Sequence, residues 1–216
     1  MLDLVPHPMS DGSMIKTSKP PAQSWSALQK GLRSHAKGIA VQRFTLADGI
    51  AKSSVLLAHP IYFVKLQHLT SGKGLRYARA VIWRYFLQVA KVRKVGVAEI
   101  SVTKPAGCVL ASFSASEEVK THYLFLRSMI DDDTRSASYS LRMVRIPSIR
   151  ILAVWLRSAD GRKDILIPLG SATEHLKDGY AYPRKEFEAA LEAEACGRSS
   201  VLEKSILPKK PTILRK

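Results

Sequence analysis

The most regular pattern of apolar positions in the chain lies between residues 71–74 and Gly96. At about 100° per residue, eight apolar side chains of this stretch fall within one arc, as on a helix that packs one side against a core. They are Leu75, Ala78, Val81, Ile82, Tyr85, Phe86, Val89 and Val92. The spacing predicts a long amphipathic helix over residues 75–95.

Cations follow the opposite side of this predicted helix within an arc of about 80°, which gives a stripe of about 32 Å at 1.5 Å per residue. No Asp or Glu occurs from Lys73 to Val95. Rows of Lys and Arg bind phosphates, and aromatic faces among them can stack on bases. The pattern therefore predicts a nucleic-acid-binding set, made of Lys73, Arg76, Tyr77, Trp83, Arg84, Lys91 and Lys94.

Shorter patterns predict the remaining elements. Capping residues and helical spacing indicate helices over 24–38, 50–58, 117–130 and 183–197, whereas β-branched runs indicate strands over 39–46, 97–103, 107–113, 139–146, 149–157 and 164–169. Residues 61–69 fit either a strand or a helix. The predicted fold is α+β, with an N-terminal helical half that holds the long basic amphipathic helix. The C-terminal half is a small, mostly antiparallel sheet with flanking helices.

The chain of 216 residues is long enough for one core. The Pro- and Lys-bearing residues 1–23 read as an extended basic arm, and residues 198–216 read as a basic C-terminal tail. A single α+β domain is expected between them, over 24–197.

Positive charge is concentrated in the N-terminal part of the chain. The whole sequence has 34 Lys and Arg against 18 Asp and Glu, a net charge of +16, and residues 1–98 hold 15 of the cations but 3 of the acids. Asp48 is the one carboxylate between Gly12 and Ala98. So many cations without local partners point to an external polyanion.

Composition excludes some classes of protein. No apolar stretch approaches the roughly 20 residues that a membrane span requires, and residues 1–14 lack the apolar core of a signal peptide. Cys108 and Cys196 are far apart and form no C-x-x-C motif, so we expect a reducing, cytoplasmic-type compartment. An anionic membrane surface is a disfavoured partner, because the wide aliphatic side of the predicted helix suits a core.

Three hypotheses for function follow. The favoured one is a non-enzymatic nucleic-acid-binding or ribonucleoprotein component, for which no catalytic residue, metal or cofactor is predicted. The first alternative is a metal-dependent nuclease, or another enzyme on a polyanionic substrate, that draws on six carboxylates. These are Glu99, Glu117, Glu118, Asp131, Asp132 and Asp133. The second alternative is a scaffold that docks on an acidic protein.

Residues 67–74 do not match the phosphate-binding motif G-x-x-x-x-G-K-[ST]. Gln67 stands where the first glycine belongs, and Gly74 replaces the hydroxyl residue that would bind magnesium. A simpler anion site at Lys73 stays open.

Overall fold

A computed structural model describes residues 15–40, 52–90, 94–103, 107–131, 138–170 and 173–206. The helices in these residues are α1 (Ala22–Ala40), α2 (Leu66–Thr70), α3 (Glu117–Asp131) and α4 (Arg184–Ile206), with short 3-10 helices at Gly74–Tyr77 and Pro147–Ile149. The strands are β1 (Ile15–Thr17), β2 (Ser54–Phe63), β3 (Arg79–Val89), β4 (Lys94–Thr103), β5 (Gly107–Ser114), β6 (Tyr139–Ile146), β7 (Ile151–Ser158), β8 (Ile165–Pro168) and β9 (Tyr182–Pro183).

These strands form one sheet in the order β5-β4-β3-β2-β6-β7-β8-β9, and β1 pairs with the start of β6. Neighbours are antiparallel within β2–β5 and within β6–β9. The two halves join where residues 61–63 of β2 run parallel to residues 143–145 of β6. In the described residues, the four strands of each half are followed along the chain by a helix, α3 or α4.

Helices cover both faces of the sheet. Leu28 of α1 packs with Tyr85 of β3 on the first face, and Phe187 of α4 belongs to the core of the β6–β8 half on that same face. Leu126 of α3 packs with Phe86 on the second face. Alternate residues of β3 therefore enter two different cores.

The predicted long helix is wrong, because residues 79–89 form strand β3. A strand covered on both faces needs apolar residues at odd and even positions alike, and a continuous apolar run also populates a helical arc. Trp83 and Tyr85 face α1 while Phe86 faces α3, and such aromatic and β-branched residues favour strands. An N-terminal helical half is therefore absent from the described residues. The N-terminal part of the chain instead forms α1 and several strands. The sheet that these strands join is larger than the small sheet expected in the C-terminal half.

Most other element predictions agree with the structure. Helices predicted over 24–38, 117–130 and 183–197 correspond to α1, α3 and α4, and the strands predicted over 97–169 correspond to β4–β8. The helix predicted over 50–58 is wrong, since β2 begins at Ser54. Of the strand predicted over 39–46, residues 39–40 end α1 and the rest lies outside the described residues.

Parts of the predicted N-terminal arm and of the predicted C-terminal tail form regular secondary structure. Residues 15–17 of the expected N-terminal arm form β1, where Ile15 is buried. Residues 198–206 of the expected tail continue α4 past Gly197, as a helix tolerates an interior glycine at a cost of about 1 kcal/mol. Residues 1–14 and 207–216 lie outside the described residues.

Candidate nucleic-acid interface

The structure divides the predicted nucleic-acid-binding set into separate groups. Trp83 and Arg84 on β3 are 8% and 7% exposed and point to opposite faces of the sheet. Lys94 begins β4 and pairs with Val89, about 33 Å along β3 from its start. Lys91 lies outside the described residues.

Lys73, Arg76 and Tyr77 come together in the segment that connects α2 to β3. The segment reverses the chain through two glycines with positive φ, Gly72 and Gly74. The Lys73 N–H donates to the His68 carbonyl at 2.9 Å. This bond places Lys73 directly after the last turn of α2.

Helix α4 holds this segment from the other end of the chain. Glu188 Oε1 accepts the Leu75 N–H at 2.7 Å and also accepts from the Arg184 guanidinium at 3.2 Å. A Cβ on Gly74 would lie 2.5 Å from that same oxygen and would displace the carboxylate, so glycine leaves room for this contact. The Leu75 side chain is buried in the core, which anchors the segment next to Arg76 and Tyr77.

Four side chains of the α2–β3 region form what we call the Tyr77 surface: His68, Lys73, Arg76 and Tyr77. The phenol of Tyr77 is 43% exposed. The His68 ring stacks on it at 5.1 Å between centroids, and Lys73 Nζ and Arg76 Cζ lie 5.5 and 6.0 Å from the Tyr77 centroid. Cations at this range are attracted to the ring face, so the surface presents a positioned aromatic ring flanked by positive charge.

A cleft of about 320 Å³ opens beside the Tyr77 surface. Its lining residues are Leu69, Gly72, Lys73, Gly74, Arg76, Arg184, Glu188 and Glu192. Glu188 is engaged by Leu75 and Arg184. In the described part of the chain, no carboxylate oxygen lies within 4.0 Å of the Lys73 or Arg76 cation, so both charges are available to an anion.

A second charged cluster lies on the second face of the sheet, and sequence reasoning missed it. Glu99 Oε1 accepts from Arg84 Nη2 at 2.5 Å and from Arg145 Nη2 at 2.7 Å, while its Oε2 accepts from Arg145 Nη1 at 3.2 Å. Burial alone would raise the pKa of Glu99, but the hydrogen bonds and charges of Arg145 and Arg84 outweigh burial and lower it. One carboxylate thus serves two guanidiniums, and the cluster keeps an excess positive charge.

His59 lies next to this cluster, directly opposite Arg84 in the β2–β3 ladder. Its side chain is fully buried beside Phe86, and among the described residues neither ring nitrogen has a hydrogen-bond partner. Burial, and then the charge of Arg84, lower the pKa of His59 to about 3. The imidazole is therefore neutral in the folded protein at ordinary pH.

We predict that His59 makes the protein sensitive to mild acid. The unfolded chain takes up a proton at His59 below its ordinary pKa of 6.5, whereas the folded chain does not until about pH 3. Stability then falls as pH drops through this window, by about 1.4 kcal/mol per pH unit, or roughly 2 kcal/mol between pH 6.5 and 5. Urea unfolding at both pH values measures this loss.

The variant His59→Leu serves as the comparison, since leucine has a similar volume and no titratable group. In this variant, the free energy of unfolding should depend much less on pH between 6.5 and 5, even if the variant is more or less stable than wild type. A smaller acid dependence should remain from His122, whose pKa burial also lowers. An unchanged slope in His59→Leu contradicts the assignment.

The carboxylates considered for a nuclease do not converge in the described residues. Glu99 is bound by arginines, and Glu117 and Asp131 lie at opposite ends of α3. Asp132 and Asp133 lie outside the described residues. No group of three His, Cys, Asp or Glu side chains in the described ranges is arranged to hold a metal ion.

None of the helices in the described ranges combines the length and apolarity that crossing a bilayer requires. Comparison with protein families, with curated proteins and with solved structures finds no match for this chain.

Proposed function

We propose that this protein is a non-enzymatic nucleic-acid-binding protein and that the Tyr77 surface is its contact site. The observation that carries the proposal is the arrangement of an exposed Tyr77 ring, backed by His68, between the cations of Lys73 and Arg76. Phosphates pair with such cations, and a base can stack on such a ring. The Tyr77 surface combines the cations that bind phosphates with the aromatic ring that stacks on a base.

The charge of the whole chain supports the same partner. A net charge of +16 raises the local concentration of any polyanion and accelerates its encounter with the protein. The hydrogen bond from the Leu75 N–H to Glu188 fixes the segment that carries Lys73 and Arg76, and Arg184 holds the same carboxylate. A fixed segment loses less entropy on binding. An acidic protein could satisfy the cations, but the aromatic ring between them favours a ligand with bases.

We place this function in a reducing compartment. Cys108 and Cys196 are free thiols, and neither belongs to a disulfide. Free thiols are ordinary in cytoplasmic and nuclear proteins, where nucleic acid is also found.

The test is a titration of a fluorescent oligonucleotide at several salt concentrations with the wild type and with the double variant Lys73→Gln/Arg76→Gln, in which both cations are replaced by neutral side chains. If both cations contact phosphates of a single strand, the slope of log K against log salt should become shallower by about 1.4. The same loss corresponds to about 25-fold weaker binding near 0.1 M salt.

A matched control comes from α1, where Lys30 and Arg33 are exposed and have the same spacing of three residues. The pair Lys30→Gln/Arg33→Gln removes the same charge from another surface and should bind almost as wild type. If both double variants lose the same affinity, the effect is one of overall charge, and the Tyr77 surface is not the contact site. Absence of binding in the wild type overturns the function as a whole.

A further inference from the structure

Three side chains lie in one row across the strands β3, β2 and β6. Phe63 of β2 is directly opposite Arg79 on one side and directly opposite Arg145 on the other. Directly paired residues project from the same face of a sheet, and Arg145 Cζ lies 5.7 Å from the centre of the Phe63 ring. The row therefore places an aromatic ring between two arginines on the second face.

Arg145 is held in a fixed orientation. Its two terminal nitrogens donate to Glu99, which also neutralises the buried Arg84. Because Arg84 and Glu99 already balance each other, Arg145 supplies the uncompensated charge of the cluster. Its side chain is 28% exposed, so this charge reaches the surface.

Helix α3 covers other rows of the second face. Leu126 and Ile130 of α3 pack with Phe86 and Leu57, which lie further along the strands. In the strand rows beside Phe63, Ile82 is half-buried and Val109 is 53% exposed. An elongated ligand can therefore reach this end of the sheet.

The row continues the Tyr77 surface. Arg79 begins β3 two residues after Tyr77, so their Cα atoms are at most about 7 Å apart. Arg79 is exposed, and within the described residues no carboxylate oxygen lies within 4.0 Å of it. Arg79 of the sheet is thus a near neighbour of the cations of the segment.

We infer that the row Arg79–Phe63–Arg145 is a second subsite that makes the protein selective for single-stranded nucleic acid. The inference rests on the proposed function and extends it. One unpaired base stacks on Phe63, and the neighbouring phosphates bind Arg79 and Arg145. The Phe63 ring is half-buried on the face of the sheet, so it can accept a base that is turned out of its strand, whereas a duplex keeps its bases stacked inside.

The experiment compares a labelled single strand of about 12 nucleotides with a duplex of the same length. The wild type should bind the single strand at least tenfold more tightly. The variant Phe63→Leu/Arg79→Gln, which keeps an apolar side chain at 63, should bind the single strand at least 20-fold more weakly, since it loses one stacked base and one phosphate contact. Duplex binding should fall less, by about the contribution of one cation, so the preference should shrink.

Two further variants separate the possible failures. Arg79→Gln alone removes an exposed side chain and should weaken single-strand binding about fivefold with an intact fold, while Arg33→Gln on α1 should not. If the wild type binds nucleic acid but prefers duplex, or if Phe63→Leu/Arg79→Gln binds as wild type, the inference is wrong and the proposed function stands. If the wild type binds neither ligand, both are wrong.

Discussion

Replacing Glu99 with glutamine is expected to lower the free energy of unfolding by about 3–5 kcal/mol. The carboxylate is the shared acceptor of Arg84 and Arg145, and the Arg84 side chain is 8% exposed. Glutamine removes the negative charge and leaves two guanidiniums close together, one of them buried. Removing one partner of a buried pair costs more than removing both, because it leaves an uncompensated charge.

Two variants test this explanation against a simple packing effect. Arg145→Gln keeps the neutral Arg84–Glu99 pair and should cost much less than Glu99→Gln. Arg84→Met/Glu99→Met removes the buried charges together, and it should retain more than half of the stability that Glu99→Gln loses. Urea unfolding measures all three. A loss below about 1 kcal/mol for Glu99→Gln contradicts the electrostatic account.

Local signals in the sequence predicted several elements correctly. Helix α3 begins at Glu117, as predicted. The spacing of Ser114 and Glu117 indicated Ser114 as the capping residue, but Ser114 ends β5 and the Val119 N–H donates to Ser116 Oγ. Strand β6 has the predicted bounds Tyr139–Ile146. Both features depend on neighbours in the chain, which a single sequence displays.

Strand β3 was misread because its environment comes from distant elements. Trp83, Tyr85 and Leu87 of β3 are buried in the core with α1, and Phe86 is buried in the core with α3. This part of the strand therefore alternates between two apolar cores and shows no polar side. Arg84 looked like part of a solvated stripe. Its partner Glu99 lies 15 residues away on the neighbouring strand, which no helical pattern could indicate.

The candidate site was predictable only in part, for the same reason. Lys73, Arg76 and Tyr77 are close in sequence and therefore stay together in a helix or in a loop. Phe63 and Arg145 approach each other through the parallel pairing of β2 with β6, and Arg145 is 46 residues from Glu99. Strand pairing between the two halves of the sheet could not be derived from spacing.

Tyr77→Ala is expected to weaken nucleic-acid binding about 5- to 150-fold, the range for loss of one stacked base. The ring is 43% exposed and stacks on His68, so truncation should leave the buried cores intact. Tyr77→Phe keeps the face of the ring and removes only the hydroxyl, so it should bind within about twofold of wild type.

The most direct test of the proposed contact is fluorescence anisotropy of one labelled single-stranded oligonucleotide with wild type, Tyr77→Ala and Tyr77→Phe at a fixed salt concentration. Circular dichroism of each variant verifies that the fold is retained. We predict that phenylalanine preserves the affinity and alanine loses it. If folded Tyr77→Ala binds as tightly as wild type, the Tyr77 surface is not where this protein holds nucleic acid.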